Sequence, residues 1–171
     1  MNEIKHPTVA RWFAHTNALQ CDALMRDWLS HRDSLTTRLQ AQCEVFRVQR
    51  LSQGRAMVLG DEYRALDMAR AEKVTAREVL LRCDERPVVY AHTVLPLSAN
   101  ASQWPLFASL GNRSLGTTLF SDPLVERGQL QYARLRASHP LMQRVYQLGL
   151  IVAGETCYAR RLCFAASLLV Y

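Results

Sequence analysis

Two runs of alternating apolar residues, 75–83 and 88–95, flank the polar stretch Asp84-Glu85-Arg86-Pro87. Alternation with a period of two is strand behaviour, and a short polar break between two such runs reads as a hairpin. The pairing puts Arg77, Val79, Leu81 and Cys83 on one face. An arginine on an otherwise apolar face is unusual, because burying a guanidinium without a partner is costly. Two readings stand at this point. Arg77 lies near the strand end and snorkels to water, or it meets a buried anion.

Other elements follow from local patterns. Leu24, Met25, Trp28 and Leu29 recur at helical spacing within residues 21–30. Asp33-Ser34 offers a fresh N-cap ahead of Leu35 and Leu39, which predicts a second short helix. Residues 45–51 read as a strand closed by a turn at Ser52-Gln53-Gly54. Residues 60–73 read as a connection containing a helical turn. A helix is expected over 104–110, then a loop at Gly111-Asn112-Arg113, with Ser114 capping a short helix to Phe120. A strand at 129–136 leads through His139-Pro140 to an apolar helical patch at 145–151. A further strand covers 157–164, and residues 168–171 look like the start of a buried strand. Strands in runs, with helices set apart from them, predict an α+β fold.

The 171 residues suit a single domain with its own core. The net charge of +6 would suit an anionic partner. The basic residues are scattered, without a lysine run or interleaved aromatic platform, so nucleic-acid binding is not expected. Five cysteines, with no Cys-x-x-Cys pair, argue against a disulfide framework or a structural zinc site. Residues 1–7 do not resemble a signal peptide, and no apolar stretch is long enough to span a bilayer. A cytoplasmic protein is expected. Sequence signatures for phosphate loops, dinucleotide sites, nucleophile elbows and zinc proteases are absent, and the five histidines lack metal-ligand spacing.

Several motifs, in order, resemble the chorismate pyruvate-lyase family. They are Asp27-Trp28-Leu29 with Asp33-Ser34-Leu35-Thr36, then Arg77-Glu78-Val79-Leu80-Leu81 with Thr93-Val94-Leu95-Pro96. Leu110-Gly111, Ser114-Leu115-Gly116 and Leu119-Phe120-Ser121 follow, then Arg127-Gly128 with Leu130, and Ala159-Arg160-Arg161. The resemblance covers residues 22–171.

It implies an antiparallel sheet with helices packed over it and a ligand enclosed beneath helical flaps. It implies cleavage of chorismate to 4-hydroxybenzoate and pyruvate for ubiquinone synthesis, with no metal or organic cofactor, by a monomer. Arg77 matches the family arginine that binds the ring carboxylate, which favours the buried-anion reading. Leu35 and Leu115 match further ligand-contact positions at predicted helix starts, where backbone N–H groups help hold an anion. The family also uses a glutamate in a C-terminal strand. Leu168-Leu169-Val170-Tyr171 resembles the residues leading into that strand, so the chain is expected to stop just before the glutamate and to turn over slowly. A different alignment would place Arg161 at the glutamate position. A non-catalytic aromatic-acid-binding module of the same fold is the alternative reading.

Overall fold

The computed structural model describes residues 9–99, 107–116, 126–164 and 168–170. Its centre is one antiparallel sheet. The strands are β1 (Phe46–Met57), β2 (Lys73–Cys83), β3 (Arg86–Pro96), β4 (Arg127–Leu135), β5 (Cys157–Phe164) and β6 (Leu168–Val170), in spatial order β1-β2-β3-β6-β5-β4.

The hairpin of β2 and β3 closes on Asp84 and Glu85, at φ 48° and 66°. Positive φ at both central residues is what a tight turn matching the strand twist requires. Asp84 also ties β1 to the hairpin: its Oδ1 accepts from the Val45 N–H at 2.8 Å, and its own N–H donates to the Val45 carbonyl. At the other edge, the main chain of Phe13 exchanges two hydrogen bonds with Tyr132 of β4.

The helices α1 (Ala23–Ser30), α2 (Leu35–Gln40), α3 (Glu62–Ala65) and α4 (Pro140–Gln147) cover the two faces. Asp22 caps α1 by accepting from the Met25 N–H, and Ser34 caps α2 by accepting from Thr37. Each such cap typically stabilises by about 1 kcal/mol. On the front face Leu39 of α2 packs on Val79 and Leu81, while Leu29 of α1 packs with Leu19 and Tyr132. Leu95, Leu162 and Phe164 pack there against Phe107, Leu110 and Leu115. On the back face Val58 and Leu66 lie on Val74, Ala76 and Val94, and α4 buries Leu141 and Met142 against Ala133 and Leu135. The α+β antiparallel architecture is as expected from the strand pattern.

Three local expectations need correction. Ser52-Gln53-Gly54 is not a turn. β1 runs straight through it, with a register shift between Arg50 and Ser52, and Gln53 pairs with Arg77. The stretch is polar because β1 is a largely exposed edge strand, and edges favour polar residues. The helix expected at 145–151 starts earlier, at Pro140. The His139 ring accepts from the Leu141 N–H at 3.2 Å, and proline at the first position already holds a helical φ. The helix expected at 104–110 falls partly outside the described residues, and residues 107–109 form a turn. Of the two readings of Arg77, snorkelling to water does not hold: the residue lies within β2 and is only 2% exposed. The helix expected from Ser114 to Phe120 is seen in its first residues, Leu115 and Gly116, and the remainder lies outside the described residues.

Candidate active site

Residues directly opposite one another in a sheet share a face. Arg77 lies opposite Thr93, Thr93 opposite Val170, and Val170 opposite Leu162. This row marks the front face. A cavity of about 1630 Å³ lies over it, lined among others by Leu35, Thr36, Arg77, Leu115, Arg160 and Leu162. It extends to residues 87–91 of β3 and to Thr156 and residues 157–162 of β5, beside the described part of β6, which pairs with Thr93–Val94 and Leu162–Phe164.

The Arg77 guanidinium sits where the front layer meets the sheet. Its Nη2 donates to the carbonyls of Gly111, at 3.0 Å, and Arg113, at 2.9 Å. Its buried Nε has no acceptor, and no carboxylate pairs with it among the described residues. Burial pushes its pKa down, with a smaller contribution from the positive charge of Arg50. Both effects disfavour the cation, so an anion placed here would gain more than one bound at the surface.

The loop held by Arg77 leads into Leu115, where a helical turn begins. The Ser114 hydroxyl is 2.6 Å from that of Thr36, in the first turn of α2. A Cβ on Gly116 would come within 3.3 Å of Thr36 Oγ1, so the absence of a side chain permits this close approach. Leu35 is the first residue of α2 and packs beside Leu39, Val79 and Leu81. The start of α2 and the turn at Leu115 therefore meet, and both line the cavity that Arg77 lines.

Gly128 has a similar role at the far side of the sheet. It falls where the β4–β5 register shifts, and a Cβ there would lie 3.0 Å from the Cys163 carbonyl oxygen. Among the described residues, no group of three or more His, Cys, Asp or Glu side chains is placed to hold a metal.

The family model for chorismate lyase matches residues 6–168. The chain belongs to the chorismate lyase family. A protein named probable chorismate pyruvate-lyase from Ralstonia nicotianae is 49% identical over 119 residues, which is 70% of this chain and 61% of that protein. Its namesake from Cupriavidus metallidurans is 42% identical over 160 residues, 91% of this chain and 73% of the relative. For the protein of that name from Dechloromonas aromatica the figures are 37% over 153 residues, 89% and 85%. The matched region thus spans from 61% to 85% of these relatives' lengths.

Family membership and geometry together sort the expectations about site residues. Arg77, Leu35 and Leu115 converge on one cavity. Leu168–Val170 forms the expected strand, inserted between β3 and β5, while Tyr171 lies outside the described residues. Arg161, which the other alignment placed at the glutamate position, also lines the cavity, with its guanidinium already engaged. Arg161 alternates to the back face, where Nε donates to Gln131 and Nη1 to the Asp61 carbonyl, and it stacks over Trp12 at 4.1 Å. Its neighbour Arg160 lines the cavity from the front face, that of Arg77, and motif matching gave it no role. Alternation along β5 was the signal that could have separated the two.

Proposed function

We propose that this chain acts as a chorismate pyruvate-lyase, converting chorismate to 4-hydroxybenzoate and pyruvate, the step that feeds ubiquinone synthesis. The observation that carries this reading is the Arg77 guanidinium, buried with no carboxylate partner among the described residues at the cavity of a chain of this family. A guanidinium grips a carboxylate through parallel charge-assisted hydrogen bonds, which sets direction as well as affinity. Arg77 takes the ring carboxylate. The backbone at Leu35 and Leu115 helps hold it, and their side chains pack along the ring.

The chemistry asks little beyond positioning. The ring C–O bond to the enolpyruvyl group breaks and the neighbouring ring carbon loses its hydrogen. The enolpyruvyl methylene gains one, leaving pyruvate. The two products together contain all the atoms of chorismate, and the ring becomes aromatic. Holding the substrate in its reacting conformation and limiting water account for what the protein must supply. No cofactor is required by this balance. We infer a monomer working in the cytoplasm; no described helix is long and apolar enough to cross a membrane.

The test is to incubate the purified chain with chorismate and follow both products. Equimolar 4-hydroxybenzoate and pyruvate, abolished in Arg77→Met, are expected. Tight binding of 4-hydroxybenzoate with no product above the uncatalysed rate would identify a binding module instead.

A further inference from the structure

Chorismate carries two carboxylates, and Arg77 accounts for one. The register of the sheet shows where a second cation stands. Leu162 shares the front-face row with Arg77, Thr93 and Val170, and Arg160 lies two residues along β5 on that same face. β2 and β5 are three strand positions apart. With strands about 4.8 Å apart and a rise of about 3.4 Å per residue, the two arginine backbones are roughly 16 Å apart. Both side chains line the one cavity that spans this distance.

Arg160 has the surroundings of an anion-binding group. It is half-buried and lines the cavity. Nη1 donates to the His31 carbonyl at 2.8 Å, which fixes the side chain beneath the end of α1. No carboxylate pairs with it among the described residues. Burial lowers its pKa; the Tyr132 hydroxyl opposes that shift and Arg38 adds to it. Arg161, adjacent in sequence, has its guanidinium committed to Gln131 and the Asp61 carbonyl on the other face.

We propose that Arg160 is the second carboxylate-binding residue of this cavity, receiving the enolpyruvyl carboxylate while Arg77 holds the ring carboxylate. This rests on the lyase reading above. Arg160 then determines specificity: it lets the site distinguish a dicarboxylate substrate from the monocarboxylate product. Once pyruvate has separated, the contact to Arg160 no longer retains 4-hydroxybenzoate, which favours product exchange.

Calorimetric titration with a matched pair of stable probes, 3-(carboxymethoxy)benzoate and 3-methoxybenzoate, tests the assignment. They differ by the second carboxylate. Wild type should bind the dicarboxylate at least about tenfold more tightly than the monocarboxylate, the scale of one charge-assisted contact. Arg160→Met should abolish that preference and leave 3-methoxybenzoate affinity within about twofold. Arg160→Lys should restore part of it, and this variant keeps the charge beneath α1 if Arg160→Met folds poorly. Thermal denaturation of each variant separates a folding defect from a binding one. A preference retained in Arg160→Met overturns the proposal, as does an equal loss for both probes with an unchanged melting temperature. If wild type binds neither probe, the lyase reading fails first; if it binds both equally, only the role of Arg160 fails.

Discussion

The back and front faces of the sheet surround their polar groups differently. On the back, Arg144 of α4 is clamped on Glu78 at 2.8 Å, with Tyr90 and Ser52 also donating to that carboxylate. His139 lies 3.3 Å from Asp61, and His92 lies 3.0 Å from Glu62. On the front, Arg77 and Arg160 meet backbone carbonyls and, among the described residues, no acid. A paired buried charge fixes packing, and removing one partner leaves the other uncompensated. A buried cation held only by carbonyls is positioned but not neutralised, so an arriving anion gains the most there. The comparison teaches where to look for ligand: at cavity-lining cations such as Arg77 and Arg160 that lack an acid among the described residues, rather than at Arg161, whose guanidinium already serves Gln131 and the Asp61 carbonyl.

The comparison breaks most sharply at Asp61. Its Oδ2 accepts from Trp12 Nε1 at 2.8 Å and faces His139. Asp61→Ala should destabilise the fold by about 3 kcal/mol, the scale of losing buried hydrogen bonds to a carboxylate and leaving Trp12 Nε1 unsatisfied, measured by urea denaturation. A loss under 1 kcal/mol would show that the back-face network is not structural.

Arg77→Met addresses the opposite face. Affinity for 4-hydroxybenzoate should fall by about 2–3 kcal/mol, the contribution of a charge-assisted contact. Stability should change less than in Asp61→Ala, because relief of the buried charge offsets the loss of two carbonyl contacts. Calorimetry and denaturation on the same samples decide whether Arg77 serves binding or folding.

The acid limb of stability sharpens the contrast. Burial by itself would raise the pKa values of Asp61 and Glu78. Hydrogen bonds from His139 and Trp12, and from Arg144, Tyr90 and Ser52, outweigh it and leave both values lowered. A carboxylate lowered in the folded state contributes stability above its unfolded value of about 4, and that contribution disappears as pH falls through the folded value. Denaturation midpoints should therefore drop as pH falls below about 4. Glu78→Gln should flatten the dependence, whereas Arg77→Met should leave its slope unchanged.

The smallest effect belongs to the outer surface of the front helices. Asp27 pairs with Arg38, which also stacks over Trp28 at 4.0 Å, but Asp27 is 63% exposed. Asp27→Ala should destabilise by less than about 1 kcal/mol, since solvent screens such pairs. A larger thermal shift would mean that this pair holds α1 and α2 over the cavity.

Local chemistry made the hairpin, the caps at Asp22 and Ser34, and the strands at 129–136 and 157–164 legible, because period-two alternation and capping side chains act over a few residues. Arg77 stood out for the same reason, as a charge in an apolar alternation. Its role became readable through motif resemblance, and its partners did not. Gly111 and Arg113 are 34 and 36 residues away in the chain.

By itself, then, the sequence determined the α+β class, the family motifs and the anomaly at Arg77. Tertiary structure decided that β1 continues through Ser52-Gln53-Gly54, because pairing with β2 extends through it. It set the start of α4 through His139 and Pro140. It also inserted Leu168–Val170 between β3 and β5, and set Arg160 on the face of Arg77 and Arg161 on the opposite one, where Gln131 and the Asp61 carbonyl take up its guanidinium. Strand order and register depend on hydrogen bonds between residues far apart in the chain, and a shift of one residue would exchange the two faces.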